Sequence, residues 1–302
     1  VIGSQGFVGS HVLSELIITL GSNSIYSTSA KDGKFLKSNH CDEIRVTSEN
    51  VKTLSDFIMT NKINCIVNAA GNISPKLNNN PDLEIAKTIV NSLLKSEKKP
   101  LIIHIGSSSE YSLFGRGILT TETSECHPSS LYGKNKLAAT EYLVNASEQF
   151  KFKLCVCRVF NVIGPRMNIK TILGKLYNEI FLDGRKNIKF GSLESYRDYM
   201  DIRDMSAAIV KLIININNLP YFLEIVNIGS GDVINIRSLI DQIRNASNKV
   251  FDFKEVGDEK RSSKDDCQQA NIEKIKNIID WSPKFRISES IHYFLHKEEN
   301  VN

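Results

Sequence analysis

Short apolar runs alternate along this chain with longer segments in which apolar residues recur every three or four positions. The runs are Ser24 to Tyr26, Glu43 to Val46, Cys65 to Ala69, Leu101 to Gly106 and Leu154 to Val159. The periodic segments include Ser10 to Leu20, Val51 to Thr60, Asp82 to Ser96 and Leu131 to Glu148, the last with Leu137, Ala138, Tyr142 and Leu143 on roughly one helical face. Strand and helix in alternation imply right-handed crossovers and a parallel sheet. Runs such as Cys65-Ile66-Val67 are apolar throughout, so both sheet faces should be covered. The expected fold class is α/β, a doubly wound parallel sheet.

Beyond Gly164-Pro165 the pattern loosens. It predicts a helix near Thr171 to Phe181, a short strand near Ile188 and a polar loop through Tyr199. A return to the sheet follows over Asp204 to Ile216 and Phe222 to Ile228, then two further helices from Ile234 onward with the sole tryptophan, Trp281. The expected division is a sheet domain over 1–165, with a return segment near 200–230, and a smaller lobe over most of 166–302. That lobe should face the carboxyl ends of the strands, where doubly wound sheets bind ligands.

The first nine residues, Val1-Ile2-Gly3-Ser4-Gln5-Gly6-Phe7-Val8-Gly9, set three glycines at three-residue spacing between an apolar pair and a periodic run. This is strand, tight turn and helix, the Rossmann-type fingerprint. A Cβ at these glycines would block the turn, hold the backbone away from a pyrophosphate, or prop the helix off the sheet. The helix start then faces the phosphates with free N–H groups and a positive dipole end. Gly3, Gln5, Gly6, Phe7, Val8 and Gly9 are the candidate cofactor contacts. The fingerprint implies a nucleotide and names no reaction.

With 302 residues, 41% hydrophobic and 24% charged, the chain can bury a substantial core. Its net charge is only +4, and the lysines are scattered among acids, so no nucleic-acid footprint is indicated and a small anionic substrate is compatible. The six cysteines form no Cys-x-x-Cys pair, and Cys65, Cys155 and Cys157 lie in apolar runs. Buried free thiols in a reducing cytosol are expected, hence a cytoplasmic protein. No apolar stretch approaches the roughly 20 residues that span a bilayer. The chain opens without methionine or most of a first strand, so its natural start is expected to lie upstream, with no removed leader. No metal site is expected: His292 and His296 are four apart on a helix, with no third candidate ligand nearby.

Tyr132-Gly133-Lys134-Asn135-Lys136 puts a phenol and an ammonium one above the other on a helix face. A cation so placed favours the charged form of a phenol, which makes it a usable acid or base. The spacing alone is common, since Tyr293 and Lys297 repeat it, and that pair is read as a solvated helix face. Upstream of Tyr132, Ile105-Gly106-Ser107-Ser108-Ser109-Glu110-Tyr111 carries a hydroxyl cluster off the carboxyl end of a buried strand.

Taken in order, these elements resemble the extended short-chain dehydrogenase/reductase family, the NAD(P)-dependent sugar-nucleotide epimerases, dehydratases and reductases. Asn68-Ala69-Ala70-Gly71 resembles the family's strand end beside the cofactor. Arg158-Val159-Phe160-Asn161-Val162-Ile163-Gly164-Pro165 resembles its Arg-x-x-Asn-x-x-Gly-Pro element. Arg197-Asp198-Tyr199, Asn227-Ile228-Gly229-Ser230-Gly231 and Asp280-Trp281-Ser282-Pro283 resemble later elements, the last with a glycine replaced.

The resemblance implies Tyr132 as catalytic acid/base and Lys136 as its modulator and a ribose ligand, with Ala69, Ala70 and Gly71 beside the cofactor. It implies that a serine hydroxyl bonds the reacting sugar oxygen: Ser108, two before Glu110, with Ser107 as the alternative and Ser109 beside the substrate. Asn161, Arg197 and Arg261 match positions that hold the nucleotide diphosphate, a task suited to an amide and guanidinium forks. Glu110 either handles a proton after oxidation at C4 or caps nearby N–H groups. The second strand ends in Ser27-Thr28-Ser29 with Lys31 following, where NAD-specific members carry an acid. Hydroxyls and a cation accept a 2′-phosphate, which favours NADP over NAD and so net reduction of a nucleotide 4-keto-6-deoxy hexose. The alternatives are a 4-epimerase or 4,6-dehydratase, and, more distantly, a dinucleotide-binding sensor without turnover. The resemblance also implies a homodimer through a four-helix bundle built from the Asp82 to Ser96 helix and the one carrying Tyr132.

Overall fold

The computed structural model describes residues 1–28, 46–73, 75, 79–95, 99–215, 222–247, 249–256 and 266–299. Ile2 is the fingerprint strand, bridged in parallel to Thr28 on one side and Asn68 on the other. The first half then runs α1 (Phe7–Leu20), α2 (Val51–Thr60), β1 (Cys65–Asn68), α3 (Pro81–Leu93), β2 (Leu101–Ser107), a 3-10 turn (Ser108–Glu110), β3 (Leu119–Thr120), α4 (Leu131–Phe150), β4 (Leu154–Val159) and β5 (Asn161–Ile163). The second half contributes α5 (Ile172–Tyr177), β6 (Asn187–Phe190), β7 (Tyr196–Asp201), α6 (Ile202–Ile214), β8 (Leu223–Ile228), β9 (Val233–Asn235), α7 (Ile236–Ser247), β10 (Asp252–Glu255), β11 (Cys267–Ala270), α8 (Glu273–Ile279) and α9 (Ile287–Glu299).

The central sheet has the order β1-β2-β4-β8, parallel throughout. Its two faces hold separate cores: Val12, Leu16, Ile103 and Ile209 with Trp281 on one, and Leu54, Ile89, Leu93, Leu143 and Phe152 on the other. A third core, around Leu176, Ile188, Ile240 and Phe294, belongs to the C-terminal half. A second sheet, β3-β11-β7-β5 with β9 antiparallel to β7, joins the two halves. Helix starts are set locally: Asn80 Oδ1 accepts from Leu83 N–H at 3.0 Å ahead of α3, and Ser130 Oγ accepts from Gly133 N–H at 3.0 Å ahead of α4. Among the described residues no helix is long and apolar enough to cross a membrane.

Two expectations are corrected. The stretch through Tyr199 is a strand, β7, and not a polar loop. Its polar residues misled because they are paired inside the protein: Asp198 accepts from Ser230 N–H, Ser230 Oγ, Gly231 N–H and Ala270 N–H at 2.6–3.2 Å. Among the described residues the C-terminal part has three helices from Ile236 onward, the extra one being the seven-residue α8. The expected Glu43 to Val46 strand lies outside the described residues except for Val46.

Candidate active site

At the head of the sheet the glycines do what the fingerprint requires. Gly3 has φ +79°, and a Cβ there would lie 2.7 Å from the Ala70 backbone. At Gly9 a Cβ would meet the Gly3 carbonyl oxygen at 2.2 Å, so α1 can press onto the turn only without one. Gly6 caps α1 by backbone alone, with no side chain over the first turn. The N–H groups of Phe7, Val8 and Gly9 therefore open toward the carboxyl end of the sheet, beside Ala69 to Gly71, a cradle that fits a pyrophosphate.

Thr28 closes this end, its carbonyl accepting from Gly3 N–H and Ser4 N–H at 3.0 and 3.2 Å. Ser27 Oγ is buried without a partner, enclosed by protein. Ser29 and Lys31 lie outside the described residues.

Two strands along, β2 ends in Ser107, whose Oγ accepts from Ser109 N–H at 3.1 Å and starts the 3-10 turn. The N-terminal turn of α4 is pressed against this serine turn: a Cβ on Gly133 would lie 2.1 Å from the Ser109 carbonyl oxygen. Tyr132 is thus fixed beside the serines by backbone contact, half-buried at the edge of the site. One helical turn on, Lys136 is buried; its Nζ donates to the Ile105 carbonyl at 3.0 Å and stands 3.1 Å from Asp82 Oδ1. Burial pulls the lysine's pKa down, and the Tyr132 phenol and Asp82 carboxylate more than offset that, leaving it raised.

The three serines have distinct surroundings. Ser108 is buried, donating to Gln268 Oε1 at 3.0 Å while its carbonyl accepts from Gln268 Nε2 at 2.6 Å. Ser107 is engaged as the turn's cap, and Ser109 is half-buried. Glu110 is fully buried with both oxygens occupied: Oε1 accepts from Ser107 N–H at 2.8 Å, Oε2 from Arg158 Nε at 3.0 Å. Tyr111 is buried with Arg158 stacked 4.4 Å over its ring, and its hydroxyl donates to Asn227 Oδ1 at 2.7 Å. Burial pushes that phenol's pKa well above its usual value.

Two of the expected diphosphate residues, Asn161 and Arg197, sit on the second sheet. Asn161 Nδ2 donates to the Asp198 carbonyl at 3.1 Å. Arg197 pairs with Asp266 at 2.7 Å, so an incoming anion would compete with that carboxylate. Arg261 lies outside the described residues. Among the described residues no group of three His, Cys, Asp or Glu side chains could hold a metal. Cys65, Cys126, Cys155, Cys157 and Cys267 are free thiols.

Residues 1–229 match the model of the NAD dependent epimerase/dehydratase family. The chain belongs to this family. Membership makes it an NAD(P)-dependent enzyme of the sugar-nucleotide epimerase, dehydratase and reductase group, with a nicotinamide dinucleotide as cofactor. Over 307 residues, it is 22% identical to a dTDP-6-deoxy-L-talose 4-dehydrogenase (NAD(P)(+)) of Kitasatospora kifunensis, covering 96% of this chain and 92% of the relative. It is 24% identical to a putative UDP-glucose 4-epimerase of Methanocaldococcus jannaschii, covering 100% and 98%. The dTDP-glucose 4,6-dehydratase of Bacillus anthracis, solved with NAD, superimposes with a TM-score of 0.85 at 20% identity, covering 100% and 96%.

Three residues that pack around this candidate site were not expected from the sequence. Asp82 reads as an acid in a helix's first turn, the ordinary complement to the dipole, and gives no sign of its lysine. Gln268 reaches Ser108 across 160 residues of sequence. Arg158 stands in a recognised motif element, but nothing in that element shows that it neutralises Glu110.

Proposed function

We propose that the protein reduces a 4-keto-6-deoxy hexose carried on a nucleoside diphosphate, with NADPH as the hydride source. Tyr132 gives its proton to the C4 oxygen, and a hydroxyl of the serine turn steadies that oxygen. Ser108 is the proposed hydroxyl: it donates to Gln268 Oε1 in the resting site and must turn that proton to the C4 oxygen, which only accepts. Lys136, Ala69 to Gly71 and the first-turn N–H groups of α1 hold the dinucleotide. A bound nicotinamide supplies the hydride at C4. Asn161, Arg197 and Arg261 take the diphosphate, which requires Arg197 to exchange its Asp266 partner for a phosphate oxygen.

The observation that carries this reading over dehydration is Glu110. Dehydration after oxidation at C4 needs a group to remove a neighbouring proton. Glu110, the acid at the serine turn, is sealed against Arg158 and the Ser107 N–H. The 4-dehydrogenase relative, named for a 6-deoxy sugar and for both NAD and NADP, spans nearly the whole chain and supports the substrate class. The absence of an acid from Ser27 and Thr28 supports NADPH. The second reading, 4-epimerisation, is supported by the full-length epimerase relative and uses the same Tyr132 chemistry. We further propose a homodimer in which α3 and α4, already packed on each other within one chain, pair with their copies.

The test is incubation with NADPH or NADH and a panel of nucleotide 4-keto-6-deoxy sugars, following nicotinamide absorbance and product together. Stoichiometric loss of NADPH with formation of a reduced sugar supports the reductase. Steady absorbance, with ordinary nucleotide hexoses inverted at C4 in a parallel incubation, replaces it with the epimerase.

A further inference from the structure

Behind Tyr132 lies a buried acid that belongs to none of the motif elements. Asp82, second residue of α3, is 2% exposed. Its Oδ1 stands 3.1 Å from Lys136 Nζ, and its Oδ2 accepts from the Asn72 backbone N–H at 3.4 Å. The loop leaving β1 closes over this pair, since a Cβ on Gly71 would lie 2.9 Å from both Asp82 Oδ1 and Lys136 Nζ.

An ammonium as buried as Lys136, 5% exposed, sheds its proton unless a charge or strong acceptors compensate it. The Ile105 carbonyl is one acceptor. The titratable and charged groups facing the lysine are Tyr132 on its own helix, Asp82 on α3, Glu110 on the serine turn and His104 on β2. Glu110 is neutralised by Arg158. His104 is fully buried and held neutral, its pKa pushed down to about 3 by burial and by Lys136 itself. Tyr132 carries no charge when it holds its proton. Within the described residues, this leaves Asp82 as the standing negative partner.

We propose that Asp82 is a positioning residue: it fixes Lys136 Nζ against the Ile105 carbonyl and keeps it charged for the dinucleotide ribose and the Tyr132 phenol. The proposal rests on the reading of Lys136 as a dinucleotide ligand. The carboxylate acts through the lysine and touches neither hydride donor nor sugar.

The experiment compares NADPH and NADH binding, by cofactor fluorescence, for the wild-type protein and Asp82→Asn from about pH 7 to about pH 10, below the ordinary lysine pKa of about 10.4. The amide keeps the shape and an acceptor for Asn72 and removes the charge. Wild-type affinity should hold across this range. The variant should lose affinity about tenfold, its fall centred at least about one pH unit lower, as expected for a buried lysine without its counter-ion. A variant curve whose midpoint does not move, whether or not its affinity falls, overturns the proposal, because a merely structural role would lower affinity without moving the midpoint. Should the variant not fold, NMR titration of the lysine ammonium groups in the wild-type protein decides. Lys136 keeping its proton above the ordinary lysine range supports Asp82, and loss below it overturns the proposal. A wild-type protein that binds neither dinucleotide overturns the functional reading instead, and the NMR titration then judges the Asp82–Lys136 pair by itself.

Discussion

Two tyrosines flank the serine turn, and each has a cation beside it. Tyr111 lies under the Arg158 guanidinium, fully enclosed, its hydroxyl spent on Asn227. Tyr132 stands one helical turn from the Lys136 ammonium and is only half-buried. The difference teaches that a neighbouring cation does not make a phenol an acid. At Tyr111, desolvation overrides the attraction to Arg158 and drives the pKa up. At Tyr132 the cation is buried while the tyrosine is only half-buried, so charge and access are divided between two residues.

The largest effect should come from removing the Tyr132 hydroxyl. Tyr132→Phe is expected to lower kcat about 10²–10⁴-fold, the usual worth of a positioned acid, with dinucleotide affinity unchanged within a few-fold. Steady-state kinetics beside fluorescence titration checks this, and full activity in the variant would break the contrast. Next is the pair that seals the Tyr111 side. Glu110→Gln leaves Arg158 buried without its counter-ion and should cost about 3–5 kcal/mol in urea denaturation. A variant that stays fully stable yet loses turnover would instead assign Glu110 to the chemistry.

A third test reads the Lys136 side through pH. His104 has a folded-state pKa of about 3 against about 6.5 unfolded. Because the unfolded chain binds the proton first, stability falls as pH drops from about 6.5 toward 3. The loss is about 3 kcal/mol by about pH 4. His104→Gln should flatten that part of the profile in thermal denaturation at successive pH values; an unchanged slope would mean the histidine is not held neutral. The smallest effect belongs to Tyr111→Phe, which strands Asn227 Oδ1 for about 1–3 kcal/mol and should leave kcat within a few-fold.

Most of the sheet could be read from the chain because its signals are local. The apolar run at Leu154 to Val159 is β4 residue for residue, and the periodicity from Val51 to Thr60 is α2. The glycine fingerprint and the Tyr132–Lys136 spacing were legible for the same reason, since each depends on residues within one turn. What escaped depends on partners distant in sequence. The strand through Tyr199 looks like a loop until Asp198 is seen to gather four donors from Ser230, Gly231 and Ala270. Asp82 and Lys136 are 54 positions apart, as 136 minus 82, and no pattern along either helix announces that they meet. Glu110 was left with two readings; its enclosure by Arg158 and Ser107 favours the capping one.

The close seat of α4 on the serine turn has a wider consequence. With Gly133 against the Ser109 carbonyl, the seat of the Tyr132 helix on the serine turn is set by main-chain contact. The connections 164–171 and 191–195 belong to the other half of the chain, away from that contact. On the proposed reading, the phenol and the serine turn form a fixed cartridge, and a change of sugar or nucleotide would fall to the housing around it.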